Sequence, residues 1–275
     1  MRVEPGRTIL DNIVSSRRRT LQEAQHAVSL TRVQQLAEER EERRDFIAAL
    51  APSGEGDAPD GLHVIAELKR ASPSRGLLRQ QYRRREIAEG YASAGASAIS
   101  VLTEEQHFLG STRDLAEVRR AVKIPLLRKD FILESYQVYE SVAEGADALL
   151  LIVAILTDRE LCSLLALCDR LRIAGLVEVH TEMELTRALA AGARLIGVNN
   201  RNLKTLEVNL ETSFDLRTKI PRGCVAVSES GIKTAADLRR LRDAGFHAVL
   251  IGERLMLESN PGQALRQLLA DLGEH

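Results

Sequence analysis

The chain has 275 residues, is 44% hydrophobic, and carries 38 basic against 39 acidic side chains for a formal net charge of −1. That length and apolar content suffice for a substantial core, while the balanced charge removes the electrostatic case for nucleic acid or an anionic membrane as the main partner. Cys162, Cys168 and Cys224 are odd in number and lack C-x-x-C spacing, which excludes a disulfide framework and a cysteine zinc site and predicts buried thiols in a reducing compartment. With no secretory-type leader and no apolar run near the roughly 20 residues that span a bilayer, a cytoplasmic location is expected.

Residues from about Thr8 to Leu50 place apolar side chains at helical spacing, among them Ile9, Ile13, Leu21, Val33 and Phe46, and predict a helical preface. Arg17, Arg18 and Arg19 are answered by Glu38, Glu39, Glu41 and Glu42, the pattern of a solvated helix face rather than a basic patch. Ala51 to Gly61, rich in Pro and Gly, is predicted as a linker. From His63 the texture becomes a strict alternation. Eight short apolar runs, at 63–69, 98–103, 125–131, 146–154, 174–180, 193–200, 224–230 and 247–252, are separated by amphipathic segments of helical period, the last at 261–272. Ala94-Gly95-Ala96, Glu144-Gly145-Ala146, Ala191-Gly192-Ala193 and Ala244-Gly245-Phe246 recur between helix and strand, where glycine supplies a left-handed helix end. Eight strand–helix units in this length fit a (β/α)8 barrel, an α/β fold, better than a doubly wound sheet, and no G-x-G-x-x-G follows the first strand. Residues 1–275 are therefore expected to form one barrel domain with an extension and linker over 1–61, the preface covering one end of the barrel.

In such barrels chemistry collects at the C-terminal strand ends. Here those ends carry Glu67, Lys69 and Ser72, then Lys129 and Phe131, Glu178 and His180, Asn199 and Arg201, Glu229, Ser230 and Gly231, and finally Gly252 and Glu253. Lys69 and Lys129 are two of only six lysines in the chain. Glu67 and Lys69 point the same way along their strand, so they form either a catalytic pair or a structural ion pair at a strand end. Lysine and glutamate in a desolvated mouth suit general acid–base work if burial and neighbours bring their pKa values toward neutrality. The glycines after strands seven and eight fit a phosphate cradle or a plain tight turn, and the side chain of Glu253 must turn away if phosphate is held there. Phe108, in a loop, and Phe131 offer walls for a ring. Among the histidines only His180 is placed for function, and no His/Asp/Glu set has metal-ligand spacing, so no metal is expected.

These motifs together resemble the indole-3-glycerol phosphate synthase family. The resemblance lies in Ile65-Ala66-Glu67-Leu68-Lys69-Arg70-Ala71-Ser72-Pro73-Ser74, Leu102-Thr103-Glu104 with Phe108, Leu127-Arg128-Lys129-Asp130-Phe131, Val177-Glu178-Val179-His180, Val198-Asn199-Asn200-Arg201-Asn202, Ser228-Glu229-Ser230-Gly231 and Ile251-Gly252. It implies ring closure, decarboxylation and dehydration of 1-(2-carboxyphenylamino)-1-deoxyribulose 5-phosphate without a cofactor. By that resemblance Lys129 is the general acid, Glu178 a general base, Lys69 an assisting acid or anion contact oriented by Glu67, and Asn199 and Ser230 complete the catalytic set. Ser72, Phe108, Phe131, Arg201 and Glu229 would bind substrate, and Gly231, Gly252 and Glu253 its phosphate. Glu253 stands where the family often has a small polar residue, and His107 where a second aromatic is frequent. The resemblance leaves room for weak contact with other tryptophan-pathway enzymes, and no fused second enzyme is expected. A Schiff-base aldolase or sugar isomerase on the same scaffold would share the lysine and the phosphate loops without needing the aromatic walls, and a nucleic-acid role for the Arg-rich preface is opposed by its acidic residues.

Overall fold

A computed structural model describes residues 8–51 and 61–273; most of the predicted linker and His275 lie outside the described residues. The eight predicted runs are strands β1 His63–Leu68, β2 Ala98–Leu102, β3 Leu126–Lys129, β4 Ala148–Ile152, β5 Ala174–Val179, β6 Leu195–Asn199, β7 Val225–Glu229 and β8 Ala248–Ile251. All neighbours pair in parallel and the sheet closes on itself, β1 bonding both β2 and β8. Two helices precede the barrel, α1 Ile9–Ala27 and α2 Leu30–Glu39. The crossovers are α3 Arg84–Ser93, α4 Thr112–Ala121, α5 Ser135–Ala143, α6 Asp158–Leu171, α7 Glu182–Ala190, α8 Glu211–Arg217 and α9 Ala235–Asp243, followed by α10 Glu253–Leu257 and α11 Pro261–Gly273.

The strands read as apolar throughout because both faces are buried, yet their period of two still sorts the side chains. Val64, Ile99, Leu149, Val177, Ile196 and Val249 belong to the shell beneath the helices. Ile65, Leu127, Leu150, Leu176, Leu195, Val227 and Leu250 fill the barrel interior. Continuing each inward series toward the C-terminal end brings Glu67, Lys129, Glu178, Asn199, Glu229 and Gly252 into one upper layer. The barrel's packing thus fixes which polar residues meet. The repeated Gly95, Gly145, Gly192 and Gly245 all have positive φ, between 84° and 104°, as expected of helix ends that turn back into a strand.

The extension differs from expectation in three ways. It is helical only to Glu39; residues 40–51 form an irregular segment with turns at 46–50. It contacts both ends of the barrel rather than one. Ile9, Leu10 and Ile13 of α1 border a small apolar chamber with Phe108 and Phe131 at the C-terminal end. Phe46 and Leu50 are buried in the interior cluster with Ala98, Ala148, Val225 and Ala248, which start their strands. And Arg17 is buried rather than solvated, its guanidinium 2.8 Å from Asp130. The cysteine expectation also fails at one position: Cys168 and Cys224 are buried, but Cys162 is exposed, because it lies on the outward face of α6 while Leu161, Leu164, Leu167 and Cys168 line the inward one. Burial pushes the Cys168 thiol up to about 12, which leaves it inert.

One carboxylate ties the extension to the barrel's N-terminal end. Asp147, fully buried just before β4, accepts from Arg40 at 2.7 Å, Arg119 at 2.5 Å, and the backbone N–H groups of Arg44 and Leu126, both at 3.0 Å. Removing it takes the shared carboxylate from two half-buried guanidinium groups, which keep the Val142 and Ala146 carbonyls and Glu42, and the acceptor from two amides. Asp147→Ala should cost about 3 kcal/mol or more in urea unfolding; a loss within experimental error would show that the clasp contributes nothing.

Candidate active site

The upper layer opens into a cavity of about 640 Å³ to which every strand contributes a wall, including Glu67, Lys129, Glu178, Asn199, Glu229 and Gly252. Lys69, Phe108, Phe131, Arg201, Ser230, Gly231 and Glu253 also line it, so all but one of the residues that the family resemblance assigns to the site meet there, while His180 lies behind the wall. Ser72 is the exception. It is buried in a two-residue ladder with Gly76 and borders only the small apolar chamber beside α1, while Ser74 takes the place on the main wall.

At the centre, Lys129 Nζ lies 2.9 Å from Glu178 Oε2 and 2.7 Å from Glu229 Oε2. Both carboxylates are about 1% exposed. Burial works to strip the Lys129 ammonium of its proton, but Glu178 and Glu229 overrule it and raise its pKa above the ordinary lysine value. Burial likewise pushes both carboxylates up. For Glu178 the opposing pull of Lys129 and His180 wins and holds it well below the usual carboxylate range. For Glu229, burial and the charge of Glu178 outweigh Lys129 and raise the pKa to about 7. The expected drift toward neutrality therefore holds for Glu229 but not for Lys129 or Glu178, because a cation shared between two anions is stabilised and the anions compete for it. Two glycines make room for this charge. A methyl group on Gly197 would overlap Glu229 Oε1, and one on Gly252 would overlap Glu67 Oε1. Glycine at 252 is thus explained by a carboxylate as well as by any anion.

Around this centre, Glu67 Oε1 lies 2.7 Å from Lys69 Nζ. Asn199 Oδ1 accepts from the Arg201 N–H at 3.0 Å. Ser230 and Gly231 are consecutive residues of positive φ, 67° and 84°; for serine that conformation is strained, and such strain gathers at functional sites. Asn200, buried behind them, donates to the carbonyls of Glu229 and Ser230 at 2.9 and 3.0 Å and holds the turn. The side chain of Glu253 pairs with two guanidinium groups of the cavity lining, 3.2 Å from Arg75 Nε and 3.5 Å from an Arg201 nitrogen.

Phe108 and Phe131 stand with ring centroids 6.3 Å apart and planes tilted by 39°. Their backing was not apparent in the sequence. Glu104, buried, accepts from the N–H groups of Gln106, His107 and Phe108 at 3.2, 2.7 and 3.0 Å, and one oxygen lies 3.1 Å from His107 Nδ1, so a single carboxylate folds the loop that presents Phe108. Asp130, next to Lys129, is fixed by Arg17, by Arg128 at 2.9 Å and by the Thr103 hydroxyl at 2.6 Å. Burial opposes its charge, yet the two arginines keep its pKa below the usual value. Thr103-Glu104 and Lys129-Asp130 are visible as residue types, but only tertiary contact reveals what they hold.

The closed parallel sheet and its crossover helices place this chain among the (β/α)8-barrel proteins, with a lysine between two carboxylates and an aromatic pair in the cavity at the C-terminal strand ends. The sequence pattern of the indole-3-glycerol phosphate synthase family matches residues 10–268. Proteins named indole-3-glycerol phosphate synthase from Carboxydothermus hydrogenoformans and Chromobacterium violaceum are 44% and 46% identical to this chain, the alignments covering 95% and 94% of it and 99% and 97% of theirs. The chain belongs to the indole-3-glycerol phosphate synthase family, and its reaction is the conversion of 1-(2-carboxyphenylamino)-1-deoxyribulose 5-phosphate to indole-3-glycerol phosphate, carbon dioxide and water, a carboxy-lyase step of tryptophan biosynthesis. Among solved structures, KGPDC from Streptococcus mutans has the same fold at 11% identity and a TM-score of 0.60, over 78% of this chain and 98% of that one. Thiamine phosphate pyrophosphorylase from Pyrococcus furiosus matches at 16% identity and 0.59, over 78% and 96%. Among the described residues no helix is long and apolar enough to cross a membrane, and no group of three or more His, Cys, Asp or Glu is arranged to hold a metal.

The raised pKa of Glu229 has a stability consequence. The native state binds its proton more tightly than the unfolded chain, so this contribution is complete below about pH 4.5 and lost as pH rises through about 7. Glu229→Gln should therefore gain stability relative to wild type between those limits, by on the order of 3 kcal/mol if the whole shift is expressed. Parallel urea titrations across that range check it; a difference independent of pH would mean that Glu229 is not held protonated.

Proposed function

We propose that Lys129 is the general acid of ring closure and Glu178 the base of the later dehydration. The observation that carries this reading is the sharing of one ammonium by two buried carboxylates of opposite pKa shift, since environments that push paired groups apart mark acid and base. As the ring carbon bearing the carboxylate attacks C2′, charge gathers on the C2′ oxygen, and Lys129 gives it a proton. Carbon dioxide then leaves, its bonding electrons restoring the aromatic ring. Glu178 takes a proton from C1′ as the C2′ hydroxyl departs as water, and Lys69, held by Glu67, protonates that hydroxyl. The substrate carboxylate leaves as neutral carbon dioxide, so each turnover takes up one proton from the medium.

The remaining residues bind. Phe108 and Phe131 pack on the ring, with Ser72 behind the chamber they share with α1. Asn199 and Ser230 hydrogen-bond the reacting centre, Glu229 holds Lys129 from the second side, and Arg201 meets the substrate carboxylate. Gly231 and Gly252 let backbone N–H groups approach the phosphate, and Glu253 contributes its N–H there while its carboxylate stays with Arg75 and Arg201. A Schiff-base reading of Lys129 is disfavoured by the same geometry, because an amine kept as an ammonium by two anions is a poor nucleophile. The proposal extends to a single barrel domain working in the cytoplasm, without nucleic acid and with no more than weak contact to other tryptophan-pathway enzymes, a reading supported by the near-zero net charge.

Lys129→Ala and Glu178→Gln should each lower kcat by about 1,000-fold or more, in keeping with general acid–base contributions of roughly 10²–10⁴, as read from the growth of indole fluorescence with the fold intact by circular dichroism. Turnover like wild type in either variant contradicts the assignment. Borohydride added with substrate should trap no covalent adduct; capture at Lys129 or Lys69 would move the mechanism to a Schiff base.

A further inference from the structure

His180 follows β5 two residues beyond Glu178 and is not part of the cavity wall. Its ring is wedged between two carboxylates. Nδ1 lies 3.0 Å from Glu184 Oε2, and the His180 backbone N–H donates to the same oxygen at 2.7 Å. Nε2 is buried, makes no hydrogen bond, and faces Glu178 Oε1 as an ion pair at 3.4 Å. A ring with a carboxylate at each nitrogen is matched by the imidazolium, which carries a proton on both, and not by the neutral form, which would turn a lone pair toward one anion. The helix that begins after Thr181 supplies the brace, so the ring is fixed from outside the barrel.

We propose that His180 is a positioning residue for Glu178: braced by Glu184, it holds Oε1 so that Oε2 meets Lys129, and it decides that Glu178 rather than Glu229 remains the ionised base. The two carboxylates compete for one lysine and differ in what else they face. Glu178 has a second cation in His180. Glu229 has none, and its Oε1 is buried without a hydrogen-bond partner beside Gly197. The other charge that bears on the group is Glu67 from β1, which acts on Lys129 and Glu229; the charges facing His180 are Glu178 and Glu184. The raised His180 pKa, about 10, agrees: burial opposes the charge and the two glutamates prevail. Without the imidazolium the two carboxylates become near equivalents, and the shared proton spends part of its time on the group that must act as base.

The inference rests on the reading of Glu178 as base, and the experiment separates the two. Profiles of kcat against pH are measured for wild type, His180→Gln, Glu184→Gln and Glu178→Gln. His180→Gln should raise the acid limb from below the ordinary carboxylate range to near neutrality, so that kcat near pH 6 falls by about half or more. At about pH 8.5 kcat and KM should stay within a few-fold of wild type. Glu184→Gln, which leaves the ring in place but unbraced, should shift the limb the same way by less. An unmoved acid limb in His180→Gln, or an equal loss at every pH, would overturn the proposal. If His180→Gln fails to fold, ¹⁵N resonances of the His180 ring in intact wild type decide: both nitrogens protonated at about pH 8 supports it, and a neutral ring there overturns it. Full turnover by Glu178→Gln would instead defeat the base reading itself.

Discussion

Lys129 stands between Glu178 and Glu229 at 2.9 and 2.7 Å, inside a barrel mouth where none of the three can reach bulk water freely. Taken singly each of these charges would be costly to bury. Together they form a set with one cation and one anion too many, and burial beside Glu178 raises the pKa of Glu229 toward neutrality. Much of the surrounding structure serves that arrangement. Gly197 leaves space for Glu229 and Gly252 for Glu67. Asp130, next in sequence to Lys129, is locked by Arg17, Arg128 and Thr103, so the strand end cannot drift.

The extension belongs to the same design. α1 brings Arg17 to Asp130 and walls the small chamber beside the aromatic pair with Ile9, Leu10 and Ile13. Phe46 and Leu50 close the opposite end, and Asp147 clamps the segment that carries them. Folding of the extension and order in the active site are thereby coupled through two buried ion-pair clusters, one at each end of the barrel.

The architecture was legible because alternation of apolar runs and amphipathic segments is a local signal, and the period of two already determined that Glu67 and Lys69 share a face. Lysines at 69 and 129 stood out because so few occur elsewhere. Three things were not legible. The burial of Arg17 depends on a partner 113 residues away, and its neighbours read as solvent-exposed. The direction of the pKa shifts depends on which groups meet across the barrel: Glu229 looked like a binding residue until its distance to Lys129 was known. The partners of Glu253, Arg75 and Arg201, converge on it from two other loops. In each case residue type was visible and its partner was not.

If Lys129 is shared unequally, one proton divides its two carboxylates and leaves Glu178 ionised and Glu229 neutral just below its pKa of about 7. Infrared difference spectroscopy on protein with ¹³C-labelled glutamate reads this directly, through the carbonyl stretch that only a protonated carboxyl shows. The expected band titrates with a midpoint of about 7, moves to lower pH in Glu178→Gln, which takes away one of the charges that raise it, and disappears in Glu229→Gln. A band that persists in Glu229→Gln, or no protonated carboxyl above the ordinary glutamate range in the unaltered protein, would contradict it.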